Sequence, residues 1–204
     1  MPQRSERRRF VVCAIAVAVL PARAQASFTL EQLMQLLGQV KAGEASFVEK
    51  RYVSMLERTL ESSGRLTFEA PDSFVRETLK PTRDRMAVVG NLVTMSMGSR
   101  SRTVALDSVP EAAVIFEAIR GTLTGNRAAL ERHFTPAVSG APARWTLELV
   151  PLMPRLRELV TSVRVSGQQA YVREVVVAMA DGDRSVMSIT PMIPDAAASA
   201  PPAR

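Results

Sequence analysis

The chain has 204 residues, of which 47% are hydrophobic, 23% charged and 5% aromatic; this excludes a mostly disordered protein and fits one domain or two very small ones. A single histidine and a single cysteine exclude a Cys/His zinc cluster, and leave Cys13 with His133 as the one conceivable Cys–His nucleophile pair. Lys and Arg outnumber Asp and Glu by 26 to 20, but most of that surplus lies in the first 26 residues.

Arg4, Arg7, Arg8 and Arg9 form a positive cluster, Phe10 to Leu20 run uncharged, and Ala22-Arg23-Ala24 and Ala24-Gln25-Ala26 offer small-x-small cleavage patterns. This is the layout of a secretory signal peptide and predicts cleavage near Ala26 and a periplasmic product. Eleven apolar residues make a helix of about 16 Å, roughly half a bilayer core, too short for an anchor. Removal of residues 1–26 takes away five Arg and one Glu, leaving 21 basic and 19 acidic side chains and a charge of about +2. The pI of 10.4 therefore gives no ground for a nucleic-acid partner. Cys13 leaves as well, so the exported chain makes no disulfide.

The next segment predicts a helix. Thr29 and Gln32 have capping-box spacing, Leu30, Leu33, Met34, Leu37 and Val40 form one apolar stripe, and Gly43 is the expected stop. The period then changes to two. Strands are expected over Ser46 to Leu56, Gly64 to Phe68, Ser73 to Leu79, Arg85 to Val89, Leu92 to Met95 and Arg100 to Leu106, with turns at Pro71-Asp72 and Gly90-Asn91. Ser108-Val109-Pro110-Glu111 starts a helix whose stripe is Ala112, Ile115, Phe116, Ile119 and Leu123; Gly125-Asn126 starts another that holds Leu130 and Phe134. Pro136 to Pro142 reads as a loop. Trp145, Leu147 and Leu149 alternate with polar residues as a strand, Leu159 to Val165 is another ended by Gly167, and Ala170 to Ala180 and Arg184 to Thr190 flank Asp181-Gly182-Asp183 as a hairpin. The Ala/Pro-rich residues 195–204 read as a loose tail after a single domain over 27–194.

A long antiparallel sheet with one apolar face needs a cover. The expected fold is therefore α+β: a strongly curved antiparallel sheet, an incomplete β-barrel, with about three helices over its concave face. Leu66, Phe68, Phe74, Val93, Met95, Trp145 and Leu147, with Ile115 and Ile119 from the helix above, are the expected lining of an apolar ligand site. Nine methionines remain after residue 26; their thioethers suit ligands of irregular shape and equally fill core gaps.

Ala45-Ser46-Phe47-Val48-Glu49, Ser63-Gly64-Arg65-Leu66-Thr67-Phe68, Pro71-Asp72-Ser73-Phe74, Lys80-Pro81 and Val89-Gly90-Asn91-Leu92-Val93, in that order and spacing, resemble the LolA family of periplasmic lipoprotein carriers. The resemblance implies an incomplete barrel that takes acyl chains of a lipoprotein from an inner-membrane donor to an outer-membrane acceptor, as a monomer without a cofactor. Three positions depart from the family pattern. Glu49 stands where Gln is frequent, Asn91 follows Gly90 where Asp-Gly is usual, and Ala70 replaces a basic residue before the proline that the family links to cargo handling. The departures point to a divergent branch carrying another lipid or glycolipid; Arg65, Arg76 and Arg83 are the nearest substitutes for the missing base. The alternative is a protein-interaction or sensor module on the same fold.

An enzyme is the third reading. His133, the lone imidazole, stands near a helix end, a common place for a solvated His. Asp181 and Asp183 flank Gly182, where turn chemistry explains them. Arg155, Arg157 and Arg164 have the Arg/Glu spacing of a solvated, paired surface. No catalytic residue and no metal ligand is expected.

Overall fold

The computed structural model describes residues 28–192 apart from Glu57 and Val109. The predicted signal peptide and the Ala/Pro-rich tail lie outside the described residues.

The chain opens with α1 (Leu30–Leu37). The predicted capping box forms: the Gln32 amide N–H donates to Thr29 Oγ1 at 3.3 Å, and the Thr29 amide donates to Gln32 Oε1 at 3.0 Å. Leu33, Met34 and Leu37 are buried, each contributing roughly 1.5–3 kcal/mol by leaving water. The helix stops at Gly38, five residues before the expected Gly43, which instead lies in the first strand. The cause is tertiary. Gly38 packs against Gly125, and Gly125 holds φ +69 so close to the Met34 carbonyl that a Cβ would collide with it.

Six antiparallel strands follow: β1 (Ala42–Val53), β2 (Arg58–Glu69), β3 (Ser73–Lys80), β4 (Asp84–Val89), β5 (Leu92–Met97) and β6 (Arg100–Ala105). Two helices, α2 (Pro110–Thr124) and α3 (Arg127–His133), lead to β7 (Phe134–Ala141), β8 (Arg144–Pro151), α4 (Pro154–Arg157), β9 (Val160–Gln168), β10 (Tyr171–Met179) and β11 (Arg184–Met192). Asn126 caps α3 through Oδ1, which accepts from the Ala129 amide at 3.1 Å.

The strands form one sheet in the order β6-β5-β4-β3-β2-β1-β11-β10-β9-β8-β7, so two meanders join where β1 pairs with β11. The sheet is open, with β6 and β7 as its edges, and the α2–α3 segment connects one edge to the other. This is the expected curved, incomplete barrel with helices on its inner face.

Residues 136–142 are a correction. Pro136 to Ala141 belong to β7 rather than to a loop, and Phe134 begins that strand instead of ending a helix. Proline within a strand argued for a loop, but β7 has a partner on one side only, and an edge strand tolerates a residue that cannot donate. Among the described residues a fourth, one-turn helix, α4, joins the three expected, and β9 runs through Gly167 to Gln168.

The core has two parts. The larger packs Leu33, Met34 and Leu37 of α1, Val114 and Ala118 of α2 and Leu130 of α3 against Trp145, Leu147, Leu149 and Val165. The smaller packs Ala113 and Phe116 of α2 against Val88, Val93, Leu106, Met86 and Val104. One helix thus serves both halves of the sheet.

Candidate functional site

Directly opposed residues of antiparallel strands project to the same face, so the pairing pattern fixes what lines the inner face. Across β2 to β6 three rows follow. The first is Phe68, Phe74, Val88, Val93 and Val104; the second Leu66, Arg76, Met86, Met95 and Arg102; the third Gly64, Thr78, Asp84, Met97 and Arg100. The pairings Glu49–Met187, Met187–Val175, Val175–Val165 and Val165–Leu147 carry the same face to β8. All seven strand residues expected to line an apolar site, Leu66, Phe68, Phe74, Val93, Met95, Trp145 and Leu147, share this face.

They do not form one cavity. Phe68 and Phe74 meet Ile119 around a cleft of about 20 Å³, completed on its apolar side by Val88, Phe116 and Leu123. That volume holds about one water molecule. Val93 sits beside it in the smaller core with Phe116. Trp145 and Leu147 are fully buried in the larger core, the indole N–H donating to the Gln169 carbonyl at 2.8 Å. Leu66 is buried next to Phe68 along β2. Ile115 is not part of the cleft lining and is 37% exposed. Phe116 and Leu123, members of the same predicted stripe, occupy the lining instead.

Met95 belongs to a second, open cleft of about 500 Å³ at the other end of β4 to β6, lined by Met86, Met95, Met97, Arg76, Arg100 and Arg102 among others. The first row is covered by α2. The second and third rows toward β6 are not, and Met95 and Met97 are 45% and 62% exposed.

Two arginines link these parts. Arg76 on β3 reaches over β2 to Glu49 on β1, its Nη2 donating to Glu49 Oε2 at 2.5 Å. Ser62 and Ser185 also donate to that carboxylate, at 3.3 and 2.6 Å. The guanidinium lies 4.8 Å above the Phe47 ring. The path crosses β2 near Gly64, where the β3 backbone comes so close that any Cβ would strike the Glu77 carbonyl. Arg120 on α2 donates to the Gly90 carbonyl in the β4–β5 turn at 2.6 Å and so fastens the covering helix to the sheet. A charged donor thus arrives from the helix, while Ala70 supplies none; the Ala70 amide only donates to the Lys41 carbonyl at 2.7 Å. Sequence reading proposed Arg76 as a substitute but had no signal for Glu49 as its partner, or for Arg120.

The remaining candidates have structural duties. Asp183 Oδ1 accepts from the Ser54 amide at 2.9 Å and from Ser54 Oγ at 3.2 Å, while Asp181 Oδ1 accepts from the Asp183 amide at 2.9 Å. The pair shapes its own hairpin and ties it to the β1–β2 connection. Arg164 pairs with Glu148 at 3.5 Å on the surface, and Arg157 donates to the Pro151 carbonyl at 2.6 Å. His133 closes α3. Among the described residues no three His, Cys, Asp or Glu side chains gather as metal ligands, and no helix is long and apolar enough to cross a membrane.

The family described as outer membrane lipoprotein carrier protein LolA-like matches residues 22–203. No curated protein matches the sequence. Among solved structures, a LolA superfamily protein from Nitrosomonas europaea is similar at TM-score 0.46 and 9% identity, over 83% of this chain and 95% of that one. A DUF1329 family protein from Desulfovibrio piger aligns at TM-score 0.45 and 8% identity, over 82% and 91%. The MucA/MucB complex from Pseudomonas aeruginosa aligns at TM-score 0.44 and 11% identity, over 80% of this chain and 57% of that one.

Proposed function

The chain belongs to the LolA-like family of outer membrane lipoprotein carrier proteins, and from that premise we propose that it carries the acyl chains of a lipoprotein, or of another lipid or glycolipid, across the periplasm. It takes them from an inner-membrane donor and yields them to an outer-membrane acceptor, as an exported monomer cleaved near Ala26, without covalent chemistry. The observation that carries this reading is the first row of the inner face, Phe68, Phe74, Val88 and Val93, with Phe116, Ile119 and Leu123 of α2 facing it across a small, mostly apolar cleft.

The energetics define the task. An acyl chain of ~16 carbons costs on the order of 10 kcal/mol to hold in water, at about 0.8 kcal/mol per exposed CH₂. Shielding it requires an apolar surface; releasing it requires one without strong specific contacts. A face of Phe, Val and Leu meets both demands, and transfer then follows affinity differences along the route. The cleft holds about one water, so loading needs α2 to move off the sheet and expose the row it covers. Arg120 is the polar contact that this movement breaks.

Binding of a fluorescent fatty acid tests the reading. The wild type should bind it, and Phe68→Glu, which puts a charge against the cleft, should lose at least tenfold in affinity while keeping its far-UV circular dichroism. A folded Phe68→Glu variant that binds as well as the wild type would place the lipid elsewhere.

A further inference from the structure

The uncovered end of the inner face adjoins the apolar cleft but differs from it in chemistry. Its second and third rows combine thioethers with charged side chains: Arg76, Met86, Met95 and Arg102, then Asp84, Met97 and Arg100. On the reading of the chain as an acyl-chain carrier, we propose that this end is a headgroup subsite for an anionic amphiphile. Arg100 and Arg102 hold the phosphate or carboxylate, and the three methionines take the first part of the chain on its way to Phe74 and Phe68.

Charge is the first argument. Three arginines share this stretch of the face, and the carboxylate of Asp84 is the one acid among them. Arg76 is committed to Glu49. Arg100 and Arg102 are exposed and form no ion pair among the described residues, so the end of the face presents net positive charge. A guanidinium fork matches the two oxygens of a phosphate or carboxylate, which an ammonium does not.

Apolar exposure is the second. Met95 and Met97 are about half exposed directly beside these arginines, within the same cleft of about 500 Å³. Exposed apolar surface against fixed cations is complementary to a molecule that is itself anionic at one end and apolar along the rest. Unbranched thioethers adapt to chains of differing shape.

Continuity is the third. Met86 pairs across from Arg76, one row from the Phe74–Val88 pair that lines the small cleft. A chain leaving the arginines along Met97, Met95 and Met86 therefore runs directly under α2. Arg76 Nε is buried there without an acceptor among the described residues. An acidic peptide would satisfy the arginines but has no use for a track of methionines leading into an apolar cleft.

The test compares tetradecyl phosphate with tetradecanol, each displacing a neutral fluorescent probe from the intact mature protein. Wild type should prefer the phosphate by about tenfold, the worth of one charge-assisted contact, and added salt should reduce the preference. Arg100→Gln/Arg102→Gln, on an exposed edge strand, should abolish the preference and leave tetradecanol binding unchanged. Equal binding of the two ligands by wild type would overturn the headgroup subsite and leave the carrier reading standing; failure of both to bind would overturn the two together. Displacement by inorganic phosphate alone, as effective as tetradecyl phosphate, would mark a free-anion site and overturn the lipid assignment. So would arginine-dependent binding of an oligoglutamate peptide without any preference for tetradecyl phosphate over the alcohol.

Discussion

Glu49 and Arg76 form an ion pair inside a surface that is otherwise mostly apolar, with side chains 17% and 25% exposed. Desolvating both charges is costly, and the pair recovers that cost through Ser62, Ser185 and the Phe47 ring. Such pairs are far more sensitive to loss of one member than of both. Arg76→Met should therefore lower the unfolding free energy by about 3 kcal/mol, since it strands the carboxylate, and Glu49→Met/Arg76→Met should recover most of that. Urea titration of the two variants checks it; equal destabilisation by the single and double changes would show that the charges do not compensate each other. The pair also shows where sequence reading stops. Glu49 was visible as a departure from a family pattern and Arg76 as a nearby cation. Their contact spans two strand spacings and 27 positions, and depends on Gly64 admitting a close approach, none of which leaves a periodic signal.

On the proposed reading, α2 is the element on which loading depends. Its Val114 and Ala118 pack in the larger core, its Phe116 in the smaller, and Arg120 ties it to Gly90. A charge-assisted bond of about 1.5–3 kcal/mol holds the closed position, so Arg120→Ala should raise the population of the lifted helix roughly tenfold. Stopped-flow mixing with the fatty-acid probe should then show faster association; an unchanged rate would mean that cargo enters by another route. The helix itself was readable from its apolar stripe. Which residues of the stripe meet the cleft was not, because Ile115 and Phe116 differ by about 100° around the axis and only the docking angle decides between them. Leu66 and Phe68 were readable for the opposite reason: polar Arg65, Thr67 and Glu69 leave a strand one way to face. In β7 the proline and glycine signals outweighed the alternation, since nothing local says that the strand ends at an edge.

At the scale of the molecule, the family pattern and the departures from it pull apart. Ala70 lies at the end of β2 next to Pro71, which lines the small cleft, so the missing base is missing beside the site. The charged contact seen near it is that of Arg120 on α2 with the Gly90 carbonyl. On the reading of the chain as a divergent branch with another cargo, the protein should fail to replace a strict lipoprotein carrier in a depletion strain, and Ala70→Arg alone should not restore growth, because cargo and receptor surfaces would differ as well. Full rescue by the unaltered protein would return it to the main lipoprotein pathway. The sheet that frames all of this never closes: β6 and β7 remain unpaired with each other. In a closed barrel strand number and stagger dictate the girth. A split ring has no such constraint; if the chain holds a lipid as proposed, the sheet is free to yield like a spring clip, widening at the gap for a bulky guest and tightening around a slim one. On the carrier reading, selectivity by girth should consequently be weak, and the range of cargo that one chain can grip should be set by the stiffness of the arc.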